Sequence, residues 1–258
     1  MKIAFHIALL AMFVSCQAQM NQYNLNKPSQ HITFPEVLNE ISGLKMVNDS
    51  TIACVQDEEG IVFIFDVYSN KIVREIVFKK SGDFEGIAKV GEWYYVLESD
   101  GTLYKVSVSG EKTKYDFPEK GNEFEGLCFD AKNNRLILAC KEEKGKDKNI
   151  KLFAFDVLKN TFDDKAFFKM NKEEIHPNFK ASGVAIHPNG DVYIVSSVAK
   201  TLLQLSAEFK IKAKSSLNPY IFHQPEGICF NTQGDMFISN ELNGSAANIL
   251  MFKYSNEK

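Results

Sequence analysis

The sequence predicts an all-β protein, a five-bladed β-propeller of four-stranded antiparallel blades, on three observations. The tripeptide Glu/Ser-Gly-Ile/Leu/Val occurs five times, and its glycines Gly43, Gly86, Gly126, Gly183 and Gly227 are 43, 40, 57 and 44 residues apart. That interval is the period of a propeller blade. Each glycine opens a series of short apolar runs separated by polar turns, the pattern of consecutive antiparallel strands. The last series is one strand short, whereas HITF (His31 to Phe34) precedes the first and belongs to no unit. An N-terminal strand that closes the last blade accounts for both and removes two exposed sheet edges.

Taken in chain order, residues 1–15 have Lys2 followed by an apolar stretch from Ile3 to Val14, the form of an export signal too short to span a bilayer. Ser15-Cys16 then matches a bacterial lipobox, except that Phe13 stands where Leu is usual. Cys16 is therefore the expected lipidation site and membrane anchor; ordinary cleavage after Ala18, giving a secreted soluble protein, is the alternative. Residues 16–30, rich in Asn and Gln, read as a tether, and 31–258 as the propeller. In each blade the first strand follows the glycine, and hairpin turns are expected at Asn48-Asp49, Gly91-Glu92, Asn133-Asn134, Asn189-Gly190 and Gln233-Gly234. The second strands are TIACV, WYYVL, RLILAC, DVYIV and DMFIS; the third are IVFIFDV, TLYKVSV, IKLFAFDV, TLLQLS and NILMFKY. The fourth are IVREIVF, KTKYDF, KAFFKM and FKIKAK. Two polar insertions, Glu142 to Lys148 and Asn171 to Asn178, explain the long third interval and are expected to be surface loops.

Thirty basic against thirty-three acidic side chains, a net charge of −3, and no Lys/Arg cluster exclude a polyelectrolyte partner such as nucleic acid. Besides Cys16, the cysteines Cys54, Cys128, Cys140 and Cys229 all lie in apolar strands and are expected as buried thiols. His187, in the turn HPNGD, is assigned to hairpin geometry, and the stripe Trp93-Tyr94-Tyr95 to packing between blades.

The segments EVLNEISGL, DFEGI, FEGLCFD, ASGVAIHPNGDVYIVSS and QPEGICFNTQGDMFISNE resemble the successive signatures of the SdiA-regulated (YjiK-like) family of bacterial envelope propellers, distantly similar to NHL-repeat proteins. The resemblance runs from Glu36 to Tyr254 and implies a five-bladed propeller with a bound calcium ion and no established biochemical activity. The chain departs from the pattern in the insertion after Lys141 and in Ser196-Ser197-Val198, where the family more often has Ser-Glu-Pro.

The first strand of a blade is innermost, so its opening residues Ser42, Glu85, Glu125, Ser182 and Glu226 should face the axis at one mouth. Three carboxylates about 6 Å apart repel by roughly 3 kcal/mol per pair at an effective dielectric near 20. A proton, a Lys or Arg, or a cation must neutralise them. Calcium is the preferred expectation for these five oxygen donors, zinc being poorly served without His or Cys. The alternative is that the acids cap backbone amides and the glycines permit close packing. The second strands end at the same mouth, giving a ligand rim of Asp57, Glu98, Lys141, Ser197 and Glu241, to which the blade connections add His176 and His223.

No nucleophile elbow, phosphate-cradling loop or HExxH is present. The expected function is that of a monomeric, calcium-binding, lipid-anchored envelope protein that binds a protein, peptide or small ligand at its mouth without catalysis. The alternative is a calcium-dependent hydrolase of lactones, esters or phosphodiesters, with His223, His176 or Glu98 as general base.

Overall fold

In a computed structural model, which describes residues 20–143 and 148–255, the apolar runs become sheets whose inner strands are buried on both faces and whose outer strands are largely exposed. The strands are β1 (Gln30–Thr33); β2 (Ile41–Met46), β3 (Thr51–Gln56), β4 (Ile61–Asp66) and β5 (Lys71–Val77). Next come β6 (Phe84–Val90), β7 (Trp93–Glu98), β8 (Leu103–Val106) and β9 (Lys112–Tyr115), then β10 (Asn122–Asp130), β11 (Arg135–Glu143), β12 (Asn149–Asp156), β13 (Thr161–Phe162) and β14 (Phe168–Asn171). The remainder are β15 (Gly183–Ile186), β16 (Val192–Ser196), β17 (Thr201–Leu205), β18 (Ile211–Ser216), β19 (Pro225–Phe230), β20 (Met236–Asn240) and β21 (Asn248–Phe252). They form five separate antiparallel sheets in sequential order, and the last has the order β1-β21-β20-β19. The expected closure is thus present, with Gln30 opposite Met251 and Thr33 opposite Asn248.

Alternation along each strand decides which neighbouring blade a side chain meets. On β4, Phe63 and Phe65 pack toward the last blade, with Ile249 and Met251, whereas Val62 and Ile64 pack toward the second, with Tyr94 and Val96. On β11, Leu136 and Leu138 share the core of the second blade and Ile137 and Ala139 that of the fourth. Each blade therefore glues two neighbours, and each buried large apolar side chain contributes about 1.5–3 kcal/mol. Tyr94 and Tyr95 fall into two different inter-blade cores, while Trp93 stays partly exposed under the Lys105 ammonium, 4.6 Å from its ring centroid. Cys54, Cys128, Cys140 and Cys229 are buried thiols in no disulfide. Four of the five expected turns contain a residue with left-handed φ, namely Gly91, Asn134, Gly190 and Gly234.

Three expectations are corrected. The residues read as a tether are docked from Met20 onward: Met20, Tyr23 and Leu25 are buried between the last two blades. The Tyr23 hydroxyl donates to the Gly234 carbonyl at 2.6 Å. Three apolar side chains dispersed among Asn and Gln suffice to seat the segment. The outer strand of the third blade is not one run over KAFFKM but two pieces, β13 and β14, each pairing with a different end of β12. The insertion at 171–178 is no plain loop either, since it holds a 3-10 helix, Lys172–Glu174, capped by the Asn171 side chain, and buries Ile175. The export signal, Cys16 and part of the other insertion lie outside the described residues.

Candidate functional site

The inner strands β2, β6, β10, β15 and β19 surround the axis, and their mouth-proximal ends share a local irregularity. In four of them the ladder to the second strand slips at the motif: between Ile41 and Leu44, Phe84 and Gly86, Phe124 and Gly126, and Pro225 and Ile228. Such a β-bulge kinks the strand and re-aims the unpaired side chain. Here the bulged residues are Glu85 and Glu125 and the pairs Ser42-Gly43 and Glu226-Gly227. The glycine is needed because the next blade passes close by. A Cβ at Gly43 would lie 2.8 Å from Gly86 Cα, one at Gly86 2.7 Å from Leu127 Cβ, and one at Gly126 2.8 Å from Val184 N. One at Gly183 would lie 2.4 Å from Glu226 O, and one at Gly227 2.6 Å from Ser42 O, which completes the circuit.

The circuit encloses a hub cavity of about 10 Å³ lined by the five glycines with Ser42, Glu85, Glu125 and Ser182, room for about one water. Glu226 joins electrostatically, repelled by the Glu125 charge and hydrogen-bonded by the Ser182 hydroxyl. Burial, then the nearby Glu125, pushes the Glu85 carboxyl up to about 9. Burial and Glu125 likewise push Glu226 up to about 8. Glu125, only 7% exposed, is also raised by burial, against the opposing pull of Lys141. The Lys141 ammonium reaches in from the end of β11 and forms an ion pair with Glu125. Burial works to lower its pKa, but Glu125, Glu85 and Glu226 outweigh that and raise it. Burial thus favours the protonated forms of Glu85 and Glu226 while Lys141 pairs with Glu125, so a proton and an ammonium, two of the three neutralisers the sequence allowed, both act at the hub.

The carboxylate and hydroxyl oxygens of the hub match calcium in chemistry. With Lys141 on Glu125, no three His, Cys, Asp or Glu side chains among the described residues are set to share one ion. Lys141 holds the carboxylate that such an ion would need.

A second acidic group lies further out. Asp57 is pushed up to about 6 by burial and by Glu40, Glu58 and Asp83, and its Oδ1 is buried without a hydrogen-bond partner. Glu241 is pushed up to about 8 by burial and by its hydrogen bond with Glu40, although the Gln224 amide donates to it. Two rim residues predicted separately thus meet, joined by Glu40, Glu58 and Asp83, which the sequence reading passed over. The missed signal is period two: Glu40, Asp83, Glu123, Lys180 and Gln224 each stand two residues ahead of Ser42, Glu85, Glu125, Ser182 and Glu226.

The remaining rim residues are dispersed. Glu98 is ion-paired with Lys79 and accepts from the Tyr104 hydroxyl at 2.9 Å. The Ser197 amide donates to Ser182 Oγ at 3.0 Å. His176 Nδ1 accepts from the Asn178 amide at 3.1 Å. The His223 side chain lines a different cavity, beside His31, and its carbonyl accepts from Lys200 Nζ at 2.7 Å. Neither histidine lines the hub. His187 sits in its turn with Nδ1 accepting from the Asn189 amide, and burial lowers its pKa.

Among curated proteins none shows significant sequence similarity to the chain. Solved structures similar in fold include a glutaminyl cyclase of Myxococcus xanthus, with 14% identity, 88% of this chain and 95% of that one covered, and a TM-score of 0.62. Another is the PQQ-bound form of an aldose sugar dehydrogenase of Streptomyces coelicolor, with 13% identity, 89% and 98% covered, and a TM-score of 0.57. A third is a virginiamycin B lyase of Staphylococcus aureus, with 13% identity, 87% and 69% covered, and a TM-score of 0.51. At such identities the likeness is one of fold, which does not carry activity with it. The sequence profile of the SdiA-regulated family matches residues 17–244, nearly the whole propeller, and the chain belongs to that family.

Proposed function

We propose that this protein is a non-catalytic, lipid-anchored propeller of the bacterial cell envelope whose mouth receives a cationic group from a protein, peptide or small ligand. The observation that carries this reading is the Lys141 ammonium held on Glu125 within the electrostatic reach of Glu85 and Glu226. A ring that holds its own chain's ammonium has the geometry and field to hold another cation in its place. Asp57 and the neighbouring Glu40, Glu58 and Asp83 extend the same field outward and favour cations on approach. Calcium belongs to the same proposal: to bind, it must displace Lys141 from Glu125 and the protons from Glu85 and Glu226, so its affinity rises with pH. Anchoring rests on Cys16 and is checked by fatty-acid labelling, with no label on Cys16 counting against it.

The test is thermal unfolding at pH 8 with calcium, with chelator and with tetralysine. A cation at ten times its Kd adds about 1.4 kcal/mol, a rise in Tm of about 3–6 °C, which Glu85→Gln with Glu226→Gln removes. No shift with either calcium or tetralysine would sink the reading. The hydrolase alternative is less well supported, since Glu98 is committed to Lys79 and neither His176 nor His223 lines the hub. A screen of lactones, aryl esters and phosphodiesters, with calcium and with chelator, tests it directly.

A further inference from the structure

Propeller blades diverge outward, so the wedge between two neighbours widens and must be filled. Elsewhere in the ring large rings fill it: Phe78, Phe84 and Tyr104 in one wedge, and Phe117, Phe124, Phe153 and Phe162 in the next. The wedge between the last two blades is likewise filled, by Tyr23, Tyr193, Phe222, Phe230 and Phe252, except at its outer side, where between the closing strand β1 and the connection from β18 to β19 a cavity of about 280 Å³ stays open. Its floor follows from register. His31 and Thr33 share one face of β1 and stand opposite Leu250 and Asn248 of β21. Tyr220, Ile221 and His223 of the connection form one wall and Ser245 and Ala246 the other.

The chemistry of this lining differs from that of the mouth. No Asp or Glu lines it, whereas His31, His223 and Ser245 supply hydrogen-bond donors. Ser245 Oγ is buried with no partner of its own. Tyr220 is 86% exposed at the entrance, an aromatic surface that gains from being covered. Leu250, Ile221 and the Pro28 ring supply the apolar remainder. The volume is ample for a single-ring molecule.

We propose that this wedge is a second ligand site, separate from the mouth, which takes a small aromatic carboxylate: the ring packs against Tyr220 and Leu250, and the carboxylate accepts from His223, His31 and Ser245. The site uses His223, which the mouth leaves unused, together with His31. It stands independently of the cation-binding proposal, because the two share no residue and prefer opposite charge.

The experiment is calorimetric titration of the full propeller with benzoate, with benzyl alcohol as the uncharged comparison. Saturable benzoate binding is expected, at least tenfold weaker for benzyl alcohol and at least tenfold weaker in His223→Ala and in Ser245→Val. His223→Gln, which retains an N–H donor, should recover part of the loss, and the Tm of each variant shows whether it is folded. Absence of saturable binding overturns the proposal, as does equal affinity for the alcohol. Binding lost in Lys141→Met but kept in His223→Ala would place benzoate at the mouth and overturn it equally.

Discussion

Single side chains at the hub carry the sharpest consequences. Gly126→Ala sets a methyl 2.8 Å from Val184 N, a backbone atom with no room to retreat. The expected loss is about 1–3 kcal/mol, read as a lower urea midpoint, while Gly91→Ala, with nothing within 4 Å, loses only what its left-handed φ demands. Lys141→Met leaves Glu125 buried without its counter-charge. Because the lysine side chain is 32% exposed, the expected loss is nearer 1–2 kcal/mol than the 3–5 of a fully buried pair. The loss should shrink at low pH, where Glu125 is protonated, and equal losses at pH 5 and pH 8.5 would refute the assignment. The gathering of Ser42, Glu85, Glu125 and Ser182 was legible because a fivefold repeat fixes equivalent positions. That Lys141 joins them was not, because it depends on how far a flexible side chain reaches across a bulge. Glu40 and Asp83 were legible in principle, from simple alternation ahead of each motif.

The elements read well wherever both faces of a strand are buried, since packing then enforces one register. They read poorly at the periphery. KAFFKM has the apolar content of a strand, yet the pairing it offers β12 is split into β13 and β14, because an outer strand packs on one side only and tolerates interruption. The opposite error arose at residues 20–25, where polar composition masked three apolar side chains at the spacing needed to fill the gap between two blades. Tyr23→Phe removes a hydrogen bond to Gly234 O and should cost about 1 kcal/mol. Tyr23→Ala also empties a cluster that contains Tyr193, Phe230 and Tyr254 and should cost about 3–5 kcal/mol. Equal stability of wild type and Tyr23→Ala in urea would restore the tether.

At the level of the whole molecule, four partly buried acids set the pH response. Glu85, Glu226, Glu241 and Asp57 all have folded pKa values above their ordinary ones, at about 9, 8, 8 and 6. Above the ordinary carboxylate range the folded protein keeps protons that the unfolded chain has released, so stability falls as pH rises. Their contribution is full below about pH 4 and is lost progressively through about pH 9. Asp66, Asp156, Asp235 and Glu142 are lowered and act oppositely, but only at the acid end. Calorimetry should therefore show Tm falling from pH 5.5 to pH 9, with a flatter profile in Glu85→Gln; a Tm that climbs over that range contradicts the hub described above. The joining of β1 to β21 has a consequence of another kind. During synthesis β1 must wait for β21, Gln30 for Met251, so the toroid stays unsealed until all the intervening blades have been made. A nascent chain of this design keeps its two closing strands apart until then, and removal of either β1 or β21 leaves the same gap.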